Sequence, residues 1–393
     1  MARSTPLALL AATAAAAAAA TPAQPSNWSL VFLDTSHGAL CLDGSPPAYY
    51  YRPGVGAGQN KWILHMQGGG WCTSTGDCSS RANSSLGSST SWPRTGAPTA
   101  DGGDAGILSP DPAVNPLFHD WAVAYLGYCD GGSYAGSVAE PVPVGPGSDV
   151  IFYRGRHILD AFVAKLLSAG VASASDVILS GCSAGGLAVF LHADYVGSLL
   201  PPSVRFSAAP GAGFFLADFQ QFGGGYEYLA NYQWVAATMN VTANVDAGCV
   251  AYYTAQPGAP LWKCFTAPYT LPFVTTPTFV SNSLADSWQA SNILAFPCDP
   301  TGSACNATEI AYLDSFRAAM VAAMAPVLQS KTHGAFLQEC FVHVVLGTDR
   351  SWNGTRVGGQ TMTDTFQRWY YGTGPAASAV AVDGPWGGQA TCS

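Results

Sequence analysis

The chain has 393 residues, a formal net charge of −9 and only 15 Lys and Arg residues, while 48% of its residues are hydrophobic. Such a composition can bury a large core, which excludes a chain that is disordered throughout. The sequence contains no run of five or more basic residues. We therefore expect no nucleic-acid partner.

The N-terminal segment has the pattern of a secretory signal. Arg3 precedes an apolar stretch at residues 7–20, and Thr21-Pro22-Ala23 follows it. This pattern is typical of a signal peptide, and the stretch is short for a membrane span. We expect residues 1–23 to be a signal peptide and residues 24–393 to form a single catalytic domain with no integral membrane segment. A retained anchor or a plain alanine helix is the alternative.

The cysteines also indicate an oxidising compartment. Eleven cysteines are present, a number that suits an exported protein. Neighbours in sequence predict the disulfides Cys72–Cys78, Cys249–Cys264 and Cys298–Cys305, and the odd total leaves a free thiol, for which Cys182 is our candidate. No Cys-x-x-Cys pair or zinc-type spacing occurs, so we expect no metal site. Five N-x-S/T acceptors agree with export: Asn27, Asn83, Asn240, Asn306 and Asn353.

In chain order, short apolar runs alternate with helical patterns. The sequence predicts strands at 62–66, 121–126 and 177–180, and helices at 156–169 and 186–195. Residues 79–106 are rich in Ser, Gly, Thr and Pro and predict a long surface excursion. Strands that are apolar on both faces and separated by helices favour an α/β fold with a mostly parallel sheet covered on both sides.

A nucleophile motif follows the third of these strands. Gly181-Cys182-Ser183-Ala184-Gly185 is a G-x-S-x-G pentapeptide between a predicted strand and a predicted helix, which is the context the motif requires. In that turn the serine takes strained backbone angles and its hydroxyl projects from the sheet. We therefore predict that Ser183 is a catalytic nucleophile; the alternative is a Gly-Ser turn without a catalytic role.

A glycine-rich loop follows the first predicted strand. Gly68-Gly69-Gly70-Trp71 resembles the loops that supply oxyanion-binding amides in esterases. We assign the amides of Gly70 and Trp71, together with that of Ala184, as oxyanion donors. The alternative is a tight structural turn closed by a disulfide between Cys72 and Cys78.

The base and its orienting acid should follow Ser183 in the order acid, then histidine. His343 comes just after the apolar run around 335–341, as expected for a loop at a strand end. His192 lies on the helix that follows the nucleophile and His333 precedes its strand, so both are poorer candidates. Position alone leaves three acids open: Asp286, Asp299 and Asp314.

Six motifs follow one another along the chain: Ala39-Leu40-Cys41-Leu42-Asp43-Gly44-Ser45-Pro46-Pro47-Ala48-Tyr49, Gly68-Gly69-Gly70-Trp71-Cys72, Tyr128-Cys129-Asp130-Gly131, Ser180-Gly181-Cys182-Ser183-Ala184-Gly185-Gly186, Asp286-Ser287-Trp288-Gln289 and Cys340-Phe341-Val342-His343. In this order they resemble the motifs of the pectin acetylesterase family, whose animal members include Notum, a Wnt lipid deacylase. The resemblance implies a triad of Ser183, Asp286 and His343. It also implies an α/β-hydrolase-like three-layer sandwich.

By the same resemblance, the chain is expected to be a serine esterase that removes acetyl groups from cell-wall pectin without a cofactor or metal. We also expect it to be secreted, outside the cell or in the cell wall, and monomeric. The chain departs from plant members at Gln67, where they carry Glu, and at Pro210-Gly211, where they carry an acidic residue. Two alternatives remain: a Notum-like deacylase for palmitoleoyl or other esters, and a secreted glycan-binding protein without catalysis. Because pectin and this protein are both acidic, other acetylated polysaccharides also remain candidates.

Overall fold

The computed structural model describes residues 27–98, 101, 103–302, 305–373, 379–387 and 392. The segment 1–23, which the sequence predicts to be a signal peptide, lies outside the described residues. None of the helices in the described ranges is both long enough and apolar enough to cross a membrane.

A mostly parallel sheet organises the described part of the chain. Nine of its strands are ordered β1-β2-β4-β3-β7-β8-β9-β10-β13, and only β2 runs antiparallel to its neighbours. These strands are β1 (Ser29–Phe32), β2 (Ala48–Arg52), β3 (Lys61–Met66), β4 (Ala122–Leu126), β7 (Asp176–Cys182), β8 (Arg205–Gly211), β9 (Phe279–Ser283), β10 (Gly334–Gln338) and β13 (Val380–Val382). Two small ribbons pair β5 (Val142–Pro143) with β6 (Val150–Ile151) and β11 (Arg356–Val357) with β12 (Gln360–Thr361).

The helices pack around this sheet. They are α1 (Thr75–Ala82), α2 (Gly155–Ser168), α3 (Ala184–Ser198), α4 (Glu227–Thr238), α5 (Ala247–Thr254), α6 (Ala267–Thr270), α7 (Ser287–Asn292), α8 (Ala307–Ala323), α9 (Ala325–Leu328) and α10 (Met362–Tyr371). Helix α3 is buried along most of its length against β7 and β8, as expected for a helix that is apolar on most of its faces. The architecture is the predicted α/β-hydrolase-like sandwich.

The predicted elements are present with small shifts at their ends. The strand predicted at 177–180 extends over Asp176–Cys182, and the helix predicted at 186–195 begins two residues earlier, at Ala184. The helix predicted at 156–169 covers Gly155–Ser168, and Gly170 just beyond it has φ 124°, a conformation that suits glycine.

The prediction of a surface excursion at 79–106 was wrong in part. Its first residues belong to α1, and Trp92 is buried, with its indole Nε1–H donating to the Ser85 carbonyl at 2.9 Å. Ile107, directly after the segment, is fully buried. The low sequence periodicity misled the prediction, because this segment packs through individual side chains and turns instead of through a regular element.

All three predicted disulfides form, and Cys182 is a buried free thiol, as predicted. Two further disulfides, Cys41–Cys129 and Cys340–Cys392, join residues 88 and 52 positions apart. The first ties the segment before β2 to the segment after β4. The second ties the segment after β10 to the C-terminal end.

Candidate active site

The candidate residues meet at the carboxyl edge of the sheet. The loop 68–71 follows β3, Ser183 follows β7, Asp286 follows β9 and His343 follows β10. These strands are parallel, so their carboxyl ends lie along one edge, where α/β proteins place their sites. The topology thus brings together residues that are up to 275 positions apart in the chain, from position 68 to position 343.

Ser183 occupies the tight turn between β7 and α3. Its backbone has φ 59° and ψ −125°, a strained conformation for a non-glycine residue, and its amide donates to the Gly211 carbonyl of β8 at 2.9 Å. Close packing explains the small neighbours, because a Cβ on Gly185 would lie 2.0 Å from the Met66 carbonyl oxygen. The strain is therefore held by the strands on either side of the turn.

A chain of hydrogen bonds joins the three polar side chains. His343 Nε2 lies 2.8 Å from Ser183 Oγ, and His343 Nδ1 lies 2.9 Å from Asp286 Oδ2 and 3.0 Å from Oδ1. An ionised carboxylate only accepts, so Nδ1 carries the proton and neutral Nε2 accepts from the serine hydroxyl. Asp286 is fully buried, whereas the His343 side chain is 15% exposed. The hydroxyl is thus placed to lose its proton to the imidazole.

The pKa of His343 lies above its ordinary value of 6.5. Burial opposes the imidazolium, but the Asp286 carboxylate outweighs this through its charge and its hydrogen bond, and Asp101 adds a further attraction. The imidazolium that would form during proton transfer is therefore stabilised where it arises.

The amides proposed as oxyanion donors, from the glycine-rich loop and from the start of α3, have no acceptor in the described ranges. The amide of Gly68 donates to Asp101, and that of Cys72 donates to the Gly131 carbonyl, but no acceptor in the described ranges engages the amides of Gly70 and Trp71. Ala184 is the first residue of α3, where helical amides have no intrahelical partner. Gly70 has φ 65°, which lets the loop turn its amides to one side.

A buried network that the sequence analysis did not find ties this loop to the nucleophile turn. The Trp71 indole Nε1–H donates to Ser133 Oγ at 2.7 Å, and the Ser133 hydroxyl donates to the Ala184 carbonyl at 2.8 Å. The Tyr128 hydroxyl donates to the Gly70 carbonyl at 2.8 Å and accepts from the Ser133 amide at 3.0 Å. Ser133 thus links both sides of the candidate oxyanion hole. Its only sequence signal was its position just after the Tyr128-Cys129-Asp130-Gly131 motif.

A second carboxylate reaches the same edge. Asp101 Oδ2 accepts from the Gly68 amide at 2.5 Å, and the Tyr125 hydroxyl lies 3.5 Å from the same oxygen. Burial raises the pKa of Asp101 to about 6, and the hydrogen bond from Gly68 and the charge of His343 limit the rise. Nothing in the Ser- and Gly-rich segment that contains Asp101 singled it out at the sequence level.

The competing candidates lie away from the serine and histidine. Asp299 is exposed in a turn that its own carboxylate closes, and Asp314 pairs with Arg317. His192 is fully buried, which lowers its pKa to about 4, and His333 Nδ1 accepts from the Thr278 amide. The structure therefore brings Asp286 and His343 to Ser183 and none of these four.

Gln67, the departure noted before the triple glycine, still acts as an acceptor. Its side-chain oxygen accepts from the Tyr128 amide at 3.0 Å. This contact needs an acceptor but no charge, so glutamine supplies it.

The described residues offer one grouping of metal-type ligands, namely Cys298, Cys305 and Glu309. The two cysteines are joined in a disulfide, so they have no thiolate to offer a metal. This grouping therefore does not fit a metal centre.

A serine–histidine–aspartate chain beside unused amides, at the carboxyl edge of a mostly parallel sheet, is typical of α/β-hydrolase-fold esterases. The chain is a carboxylic ester hydrolase of this class. It belongs to the pectinacetylesterase family, whose model matches residues 20–393.

Relatives agree with this assignment. Pectin acetylesterase 7 of Arabidopsis thaliana is 34% identical over 348 residues, which cover 85% of this chain and 85% of that protein. Pectin acetylesterase 11 of the same plant is 35% identical over 338 residues, or 84% and 82% of the two chains. The palmitoleoyl-protein carboxylesterase Notum of Mus musculus is 33% identical over 198 residues, or 48% and 36%.

A solved structure shares the fold. The Wnt deacylase Notum from Drosophila superposes with a TM-score of 0.75 at 22% identity, covering 92% of this chain and 97% of that chain. The agreement extends over nearly the whole of both chains, so the α/β-hydrolase architecture expected from the sequence is confirmed.

Proposed function

We propose that this chain removes acetyl groups from cell-wall pectin through a triad of Ser183, His343 and Asp286. The observation that carries the proposal is the hydrogen-bond chain of 2.8 and 2.9 Å through these side chains, in a member of the pectinacetylesterase family. The relatives named pectin acetylesterase, with coverage above 80% of both chains, support pectin as the substrate.

The steps follow from the positions of the groups. His343 Nε2 takes the proton of Ser183 as Oγ attacks the acetyl carbonyl carbon, and Asp286 stabilises the resulting imidazolium. The carbonyl oxygen becomes an oxyanion, which the amides of Gly70, Trp71 and Ala184 stabilise. The imidazolium then protonates the departing sugar oxygen, leaving an acetyl-serine. Water, deprotonated by His343, hydrolyses this ester and releases acetate.

The proposed setting is outside the cell, in the wall or secreted, with residues 1–23 removed as a signal peptide and residues 24–393 forming the catalytic domain as a monomer. The five disulfides support this proposal, because such bonds persist in oxidising compartments. The five N-x-S/T asparagines named above are all exposed, as glycosylation requires.

A Notum-like function on long acyl chains is the competing proposal. It would need a deep apolar pocket beside Ser183. The aromatic side chains Phe215 and Trp288 pack against the His343 ring and fill the space beside it. We therefore favour the acetylesterase.

The test is acetate release from acetylated pectin, acetylated xylan and an aryl acetate. We compare the wild type with Ser183→Ala and with Ser291→Ala, a matched change at an exposed serine of α7. Release from pectin that is lost in Ser183→Ala and kept in Ser291→Ala is the expected result. Acetate release from xylan and not from pectin would make acetylated xylan the substrate in place of pectin. Acetate release that persists in Ser183→Ala would overturn the mechanism. Binding of pectin without any hydrolysis would favour the glycan-binding alternative.

A further inference from the structure

A cluster of aromatic rings lies directly beside His343, the candidate base. The Trp288 indole stacks on the His343 imidazole, with centroids 5.8 Å apart and planes 29° apart. Phe215 lies 6.1 Å from the same imidazole and meets Trp288 edge-to-face at 5.4 Å. Trp71 meets Phe215 at 5.1 Å and Trp288 at 5.7 Å. We call these three rings, Trp71, Phe215 and Trp288, the aromatic wall.

The aromatic wall leaves little room between its rings. Centroid separations of 5.1 to 5.7 Å with near-perpendicular planes place ring edges in van der Waals contact. A crevice next to Trp71, lined also by Tyr228 and Tyr232, is too narrow to hold a water molecule. An acyl chain directed at the aromatic wall would therefore meet packed rings.

The chemistry of the proposed substrate decides which part of the ester faces this wall. An ester carbonyl carries an acyl group on one side and an alcohol on the other. In an acetylated polysaccharide the alcohol is part of a polymer, which must remain in solvent. Trp71 and Phe215 are 8% and 1% exposed, so a polymer cannot lie against them. On the proposed function, the acyl group is therefore the part of the ester that faces the rings.

The position of Trp288 is fixed by the element that carries the triad acid. Asp286 caps α7 by accepting from the Gln289 amide at 2.9 Å, and Trp288 lies between them in sequence. The buried Gln289 side chain then donates to the Phe214 carbonyl and accepts from the Leu216 amide, both at 3.0 Å. Gln289 thereby fixes α7 against the segment that contains Phe215, so two rings of the wall hold one relative position.

We propose that Trp288 determines acyl-chain length in this enzyme, its indole closing the acyl side of the site to groups longer than acetyl. This inference rests on the proposed function, and it adds the residue that selects the acyl group. Trp288 is half-buried and forms the outer end of the wall, whereas the Trp71 indole also donates to Ser133 and so supports the candidate oxyanion loop. Removing the Trp288 ring therefore opens space on the acyl side without removing a triad side chain or a support of the oxyanion loop.

The experiment measures kcat/KM for aryl acetate, butyrate and octanoate in the wild type, Trp288→Ala and Trp262→Ala. Trp262 is a half-buried tryptophan whose ring contacts Tyr269, and it serves as the matched control. Since one methylene group in a pocket changes selectivity by about 10-fold or more, we expect Trp288→Ala to raise the butyrate-to-acetate ratio at least about 10-fold. Trp262→Ala should keep the wild-type ratio.

Because the two esters are compared within one variant, a general loss of activity caused by removing the ring that stacks on His343 cancels from the butyrate-to-acetate ratio. If Trp288→Ala folds poorly, Trp288→Leu retains apolar packing and should raise the ratio by a smaller factor. An unchanged ratio in either active variant would overturn the role of Trp288 and leave the proposed acetylesterase intact. A wild type that cleaves octanoate as well as acetate would also overturn it. A wild type that cleaves no ester would overturn the proposed function itself.

Discussion

Ser133→Ala is the change that most specifically tests the buried network beneath the candidate oxyanion hole. The Ser133 side chain is fully buried, accepts from the Trp71 indole at 2.7 Å and donates to the Ala184 carbonyl at 2.8 Å. Alanine removes both contacts and adds no bulk. The indole N–H is then left buried without an acceptor.

The structure sets the size of the effect. A buried donor without a partner costs about 1–3 kcal/mol, and the lost bond to Ala184 adds about 1 kcal/mol. We therefore expect the free energy of unfolding to fall by about 2–4 kcal/mol. Loss of a whole oxyanion donor lowers kcat by about 100- to 1,000-fold. Ser133→Ala would displace the Trp71 amide without removing it, so its effect on kcat should be smaller than the loss of a whole donor. We expect kcat to fall by about 10- to 100-fold.

The assay combines urea unfolding with steady-state kinetics on an aryl acetate. We expect kcat to fall with KM nearly unchanged, because the oxyanion forms after the substrate binds. Trp71→Phe removes the indole N–H, so Ser133→Ala in that background no longer orphans a donor. Ser133→Ala should therefore lower the free energy of unfolding by less in the Trp71→Phe background than in the wild-type background.

Two results would refute this reasoning. A Ser133→Ala protein that is less stable but retains full kcat would show that the network is structural and does not align the hole. Equal stability losses from Ser133→Ala in the two backgrounds would show that Trp71 and Ser133 are not coupled.

The remaining predictions concern charge and close packing. The proposed mechanism needs a neutral His343 to accept the serine proton, and the pKa of His343 is raised. We therefore expect kcat/KM to be highest at high pH and to fall as the pH is lowered, with a midpoint above 6.5; a midpoint below 6.5 would contradict this. Asp286→Asn should lower kcat by about 10,000-fold and shift the midpoint of the residual activity to lower pH, a shift that pH profiles would detect. Asp101→Asn keeps an acceptor for the Gly68 amide but loses a charge near His343. The midpoint of its pH profile should therefore also shift to lower pH, by less than in Asp286→Asn. Gly185→Ala would place a Cβ 2.0 Å from the Met66 oxygen and should greatly reduce soluble yield, whereas Gly76→Ala in α1, with open space around it, should not.

Much of the candidate site could be predicted because its residues follow apolar strands. The strand before Ser183 and the strand before the loop 68–71 are short apolar runs, and close backbone contacts require glycine at Gly68, Gly181 and Gly185. His343 was chosen over His192 and His333 by its place after a strand. Asp286 could not be separated from Asp299 and Asp314 in this way, because several acids follow β9 and only tertiary packing brings one of them to the imidazole.

The supporting residues could not be predicted, for a physical reason. Ser133, Asp101 and Gln289 act through a few long-range hydrogen bonds to backbone, indole or hydroxyl groups, and such bonds leave no periodic pattern in the sequence. The same holds for the Cys340–Cys392 disulfide, whose partners are 52 residues apart, whereas the three short disulfides were predicted from neighbouring cysteines. Local patterns thus indicate elements and their ends, while contacts between elements require the fold.

The most direct test of the account is to trap the acyl-enzyme. Wild-type protein is quenched in acid during turnover of an aryl acetate, and its peptides are examined by mass spectrometry. The account predicts one added acetyl group on the peptide that contains Ser183, absent from Ser183→Ala and accumulating early in the reaction. Acetate release that proceeds without acetylation of Ser183, and that persists in Ser183→Ala, would contradict it.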